Sequence, residues 1–220
     1  MTQSAAAEER AALRRFNTGL RLRAVEIMVA LPALALAEIF RHPLAAWFQG
    51  AVWILGPLSG LLLVSGANGF GARAAGLAFS MAVFAEGYAS VMGFYGSPVA
   101  MDQVPVATAA AEILALIGML SMVAALRGSA EDLKSPGLVR RTYRAGANVW
   151  VTLACVLLVR LVVWQVGLDG LPSLIIAGSV VMFAGVAIIS VIGTVDAVIT
   201  AGETPAPEAV EAPEDDQRPR

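Results

Sequence analysis

The sequence predicts an all-α fold: a bundle of six membrane-spanning helices with both termini on the cytoplasmic side. Three observations lead there. Hydrophobic side chains make up 58% of the 220 residues and charged ones only 15%, whereas a soluble domain carries about 25% charged residues. Mean hydropathy is +0.73, which also excludes a disordered chain. Finally, the apolar residues gather into six stretches of roughly the 20 residues that a helix needs to cross a bilayer's hydrocarbon, and the basic residues collect between alternate stretches.

The six stretches cover residues 24–40, 46–65, 74–95, 105–126, 147–166 and 172–200. Each break between them has a turn or charge signal. These are Arg41-His42-Pro43, the run Gly66-Ala67-Asn68-Gly69-Phe70-Gly71, Gly96-Ser97-Pro98, the polar residues 127–144, and Gly167-Leu168-Asp169-Gly170. The domain organisation that follows is a cytoplasmic basic segment (1–23), a six-helix membrane domain (24–200) with a basic cytoplasmic loop (127–146), and an acidic Pro-rich tail (201–220).

Orientation follows from the 15 Lys and Arg. Arg10, Arg14, Arg15, Arg21 and Arg23 precede the first stretch, and Arg127, Lys134, Arg140, Arg141 and Arg144 separate the fourth from the fifth. Six crossings place these on one side with Arg73, Arg218 and Arg220, leaving only Arg41 among the basic residues of the opposite loops. Positive charge marks the cytoplasmic face, so the expected location is the inner membrane with both termini inside. A competing reading takes 27–37 as the apolar core of a signal peptide ending in Ala35-Leu36-Ala37. The long preceding segment and Glu26 weigh against it.

The flanking segments read as follows. Residues 4–23 predict an amphipathic helix capped by Ser4, with Glu8 and Glu9 at its positive end and Leu13, Phe16 and Leu20 on one face. Arg14, Arg15, Arg21 and Arg23 are expected to face anionic headgroups, with the helix in the interface or docked on a partner. Ser129, three residues before Asp132, reads as a helix cap, and Ser135-Pro136-Gly137 as a turn. The tail has six acids against two arginines, a net −4 that leaves +2 on the membrane body of a chain whose total is −2. Its four prolines and its acids predict disorder.

An ionisable side chain at bilayer depth costs at least ~2.5–3.5 kcal/mol and therefore needs a partner or a function. The candidates are Glu26, Glu38, Glu86, Glu112, Arg160 and Asp196. Glu26 and Asp196 fall near cytoplasmic helix ends and read as interfacial; Glu38 lies three residues before Arg41. Glu86, Glu112 and Arg160 fall at a common level close to the middle of their helices. The expectation is that Arg160 pairs with one or both carboxylates, since its planar fork serves two acids at once and stays charged when buried. Trp164, one turn on, is placed to cover the guanidinium. Such a triad carries a formal −1. It serves either as a clamp that sets helix register or as a proton- or cation-handling site.

Small residues around Glu86 (Ala82, Ala85, Gly87, Ala89, Ser90, Gly93) and the stripe Gly178, Gly185, Gly193 predict close helix packing. Pro32 and Gly56-Pro57 interrupt the backbone hydrogen bonds of a helix, and broken helices can line a transport site. The two halves do not form a recognisable inverted repeat. Arg14-Arg15 and Arg140-Arg141 each precede a helix, but their surroundings do not match.

The segment Leu55-Gly56-Pro57-Leu58-Ser59-Gly60 resembles the Gly-Pro-x-x-Gly segment of some substrate-binding S components of energy-coupling-factor vitamin importers. That resemblance implies a six-helix substrate-binding component, with Ala33 and Ala37 at the spacing of the small-residue patch that contacts the transport module. The acid that often follows the glycine motif is missing here.

The composition also excludes chemistry. One cysteine, Cys155, rules out a disulfide framework or thiolate cluster, and one histidine, His42, rules out a HExxH metalloprotease and metal sites built on several imidazoles. Asp196 has no second aspartate at its depth for aspartyl proteolysis, and no Lys lies in an apolar stretch to form a retinal Schiff base. No enzyme activity, cofactor, metal or nucleic-acid partner is expected. Beyond the lipid bilayer, the expected partners are other membrane proteins or a second copy of the chain. Two functions remain: a small-solute or ion transporter component that uses the Glu86, Glu112, Arg160 cluster, or a non-catalytic accessory or assembly subunit of a larger membrane complex.

Overall fold

The computed structural model describes residues 3–38, 44–95, 98–166 and 171–203, and apart from two short turns these residues are α-helical. The six helices are α1 (Gln3–Glu38), α2 (Leu44–Gly69), α3 (Arg73–Tyr95), α4 (Pro98–Asp132), α5 (Pro136–Val166) and α6 (Leu171–Glu203). Among the described residues, five of them, α2 to α6, contain a segment long and apolar enough to cross a membrane. In the first helix, Arg10, Arg14, Arg15, Arg21, Arg23 and Glu26 crowd the earlier part.

Several helices run further than their apolar stretches. The amphipathic segment and the first apolar run form one unbroken helix, with Pro32 inside it, and α2 likewise continues through Pro57. Residues 127–132 and 136–146, read from sequence as loop, are helical, and Pro105 lies inside α4. Ser129 is no cap: its carbonyl accepts the Leu133 N–H at 3.0 Å within the last turn of α4. The predicted turn at 135–137 is instead the start of α5, where the Ser135 carbonyl accepts the Val139 N–H at 3.1 Å and Pro136 opens the helix. At the other end, α6 extends to Glu203, into the stretch assigned to the tail. Residues 204–220 lie outside the described residues, as do Arg41-His42-Pro43, Gly96-Ser97 and 167–170.

Both described turns end a helix in the same way. After α2, the Ala72 N–H reaches the Ala67 carbonyl at 2.9 Å and the Gly71 N–H reaches Asn68 at 3.1 Å, with Gly71 at φ +80°. This is a Schellman motif, in which a left-handed residue satisfies the last carbonyls of the helix. Lys134 takes the same place after α4, donating to the Glu131 carbonyl at 2.9 Å from φ +51°, a conformation that glycine adopts at no steric cost.

Successive helices pack side by side, and α6 returns to α1 to close the ring. Backbones meet most closely between α1 and α2. A Cβ added at Gly66 would lie 2.6 Å from the Phe16 backbone nitrogen, and one at Gly19 would lie 3.0 Å from Leu63 N and Ser59 O. Helices approach this closely only where a side chain is absent. The face formed by Leu13, Phe16 and Leu20 is therefore buried against the chain's own helices, not in an interface or on a partner.

The densest core lies towards the end where α1 starts and α6 finishes. There Phe16, Leu20, Phe79, Met122, Leu126, Val149, Val191 and Val195 are almost fully buried, and the Phe16 and Phe79 rings meet tilted at 5.8 Å. The expected packing stripe on the last helix is not part of this core: a Cβ at Gly178, Gly185 or Gly193 meets nothing within 4 Å, and the same holds at Gly87. Large apolar side chains such as Trp47, Phe84, Leu158 and Met182 are exposed on the outside, which suits a bundle surrounded by lipid.

Two stability measurements follow from these contacts. Gly66→Ala forces a methyl against the α1 backbone and is expected to cost about 1–3 kcal/mol, the range for overpacking, read as a lower unfolding midpoint in detergent. An unchanged midpoint would show that α1 is not held there. Lys134→Gly relieves the left-handed strain and is expected to raise stability by about 1 kcal/mol.

Candidate functional site

The site starts from the spacing of the buried face of α1. Leu13, Phe16, Leu20, Arg23, Ile27 and Ala30 succeed one another at intervals of three and four residues, so they form one seam along the helix. The first three fill the packed core. Arg23 occupies the next position of the same seam and is carried inward with it, so its side chain is only 15% exposed. The expectation that Arg23 faces lipid headgroups is thus corrected: the seam that buries Phe16 and Leu20 fixes where it points.

A buried guanidinium needs acceptors, and Arg23 has two. Its Nη1 donates to Glu26 Oε2 at 2.6 Å and to Glu86 Oε1 at 2.6 Å. Glu26 is one turn along α1, at a spacing where side chains meet, and Glu86 is on α3. Read from the sequence as interfacial, Glu26 is in fact 6% exposed and belongs to this central group. Gly56 on α2 makes room for it. A Cβ there would lie 3.1 Å from Glu26 Oε1 and 3.1 Å from Glu86 Oε1.

Glu112 and Arg160 form the second pair. Arg160 donates to Glu112 Oε2 from Nη2 at 2.7 Å and from Nε at 3.2 Å, tying α5 to α4. The structure thus brings together Arg160 and Glu112 of the expected triad, while Glu86 is taken by Arg23. Trp164 and Glu38 lie in helices, but their side chains are outside the described residues. Asp196 lies well away from this group, towards the end of α6, where it accepts from Asn17 Nδ2 at 2.5 Å and pairs with Arg21 at 3.1 Å.

The two ion-paired groups share one cavity of about 400 Å³, lined by side chains from all six helices. Arg23, Glu26, Glu86 and Glu112 reach its wall together with the hydroxyl-bearing Ser90 and Thr108; Trp53 and aliphatic residues make up most of the rest. Pro57 is also on the wall, and because proline has no N–H it leaves the carbonyl four residues earlier, that of Trp53, without its helical donor. Towards the start of α1 the cavity ends on the packed core. In chain direction, Phe16 and Leu20 precede Arg23, Phe79 precedes Glu86, Met122 and Leu126 follow Glu112, and Val149 precedes Arg160.

Such an arrangement sets fixed charges around a partly open space. Among the described residues no group of three or more His, Cys, Asp and Glu is arranged to hold a metal ion. Comparison with protein-family models, with curated proteins and with solved structures finds no match. The functional reading therefore rests on these residues and their geometry.

The two pairs differ in burial, and that difference is measurable. Arg23→Ala leaves two acids without a counter-charge in the more enclosed group and is expected to cost about 3–5 kcal/mol, as when one partner of a buried pair is removed. Arg160→Ala strips the counter-charge from one acid where Arg23→Ala strips it from two, so the expected cost is smaller. Unfolding midpoints in detergent rank the two variants, and the reverse order would refute the assignment.

Proposed function

We propose that this chain is an integral protein of the cytoplasmic membrane that crosses it six times, keeps both termini inside, and binds and passes a small solute or ion through its central cavity. The observation that carries the reading is the cavity itself, with Arg23, Glu26, Glu86 and Glu112 on its wall. Ionisable groups amid apolar helices are costly, and facing an interior space is where such groups serve a pathway. Register clamping alone requires the ion pairs but not an open volume beside them.

The orientation is supported by charge. The end with the α2–α3 and α4–α5 turns carries Arg73, Arg127, Lys134, Arg140, Arg141 and Arg144, and the start of α1 adds Arg10, Arg14 and Arg15. By the positive-inside rule this end is cytoplasmic. The packed core then lies between the cavity and the cytoplasm, and passage requires it to open. A first helix engaged along its apolar face by α2 offers less to an outside partner, which favours transport over the accessory-subunit reading.

The test is charge movement in proteoliposomes challenged with a panel of small inorganic and organic ions of both signs. At least one is expected to give a saturable signal, abolished by Glu86→Gln in a protein that remains monodisperse. If no member moves charge and the native protein co-purifies in stoichiometric amount with another membrane protein, the accessory-subunit reading takes its place.

A further inference from the structure

We infer that the cavity is built for a small monovalent organic cation, an amine or quaternary ammonium bearing apolar substituents. This rests on the reading of the cavity as a solute site and adds the class of solute. Three observations define that class.

The first is the charge. Glu26, Glu86 and Glu112 oppose Arg23 and Arg160, so the paired groups at the cavity sum to a formal −1. One positive charge brings the site to neutrality, whereas an anion would raise the imbalance in a medium where unpaired charge is expensive. The second is an acceptor left over. Glu26 uses Oε2 for Arg23, while its Oε1 has no hydrogen-bond partner among the described residues, although Glu26 is 6% exposed and lies on the cavity wall. That oxygen is open to the cavity and free to accept from a donor carried by a solute.

The third is the size and chemistry of the wall. About 400 Å³ falls in the range of pockets for organic ligands, roughly 300–1,000 Å³, and far exceeds a bare metal ion. A hydrated inorganic ion would need polar groups all round, but beyond the charged residues the wall offers chiefly aliphatic side chains and the hydroxyls of Ser90 and Thr108. Trp53 adds an aromatic ring, whose face attracts cations, ammonium groups included. The carboxylates and Trp53 thus suit the charged nitrogen, and the aliphatic wall suits its substituents.

Isothermal titration of the full-length protein in detergent tests this with three probes of similar shape: benzyltrimethylammonium, its neutral analogue neopentylbenzene, and benzenesulfonate. The cation is expected to bind at one site, at least tenfold more tightly than either other probe. Glu26→Gln should weaken the cation at least tenfold, and Asp196→Asn, outside the cavity, should leave it unchanged. If Glu26→Gln does not fold, Trp53→Leu, which removes no ion pair, is expected to weaken the cation several-fold while sparing the neutral probe. Preferential binding of the neutral or anionic probe would overturn the cation assignment and leave the solute-site reading standing. Failure of all three to bind, with charge movement by an inorganic ion intact, would overturn the organic class alone; failure of both experiments would remove the solute-site reading with it.

Discussion

A guanidinium shared between two carboxylates is the contact on which the rest of the bundle's arrangement depends. Arg23 is buried with Glu26 and Glu86 both accepting from it, and removing the arginine leaves two carboxylates without a counter-charge among apolar helices. The contact spans α1 and α3, two helices that are not neighbours in sequence, and Gly56 of α2 lies close to both carboxyl groups. Two helices are thereby tied at one level, with the third close beside the tie. The Arg160–Glu112 pair ties α4 to α5, and acids of both groups lie on the cavity wall.

The two halves of the bundle solve different packing problems. Towards the start of α1 the wall residues give way to Phe16, Phe79, Met122 and their neighbours, which fill the interior. Close approach of α1 and α2 at Gly19 and Gly66 makes that density attainable. Around Glu86 and Glu112 the small residues Ala89, Ala111 and Ala115 leave volume unfilled. Small side chains thus act in opposite senses: at Gly66 they let backbones meet, and beside the acids they leave a cavity. The stripe Gly178, Gly185, Gly193 does neither within the chain.

Much of the helical architecture was legible because helices long and apolar enough to cross a membrane stand out in composition. Apolar runs of sufficient length, separated by glycine, proline or charge, located all six helices. Their ends were less legible. Residues 127–132 and 136–146 are polar enough to read as loop, yet polar residues are compatible with a helix whose backbone bonds are satisfied internally, and a Schellman turn at Lys134 needs very little chain. Arg23 was missed for a related reason. Its charge suggested headgroups, while its position, three residues after Leu20 and seven after Phe16, already placed it on the buried seam.

The sequence by itself determined that the chain is helical and apolar, that Glu86, Glu112 and Arg160 lie within long apolar helices, and that such charges need partners. These follow from composition and from the rise of a helix, which are local properties. Only the tertiary structure decided which partner each acid takes. Arg160 has Glu112, and Glu86 has an arginine from a helix whose charged half had seemed to lie outside the bundle. Pairing depends on which helix faces which, and that is a matter of contacts between residues far apart in the chain, such as those at Gly19 and Gly66 where α1 and α2 touch, which no periodicity along either helix reveals.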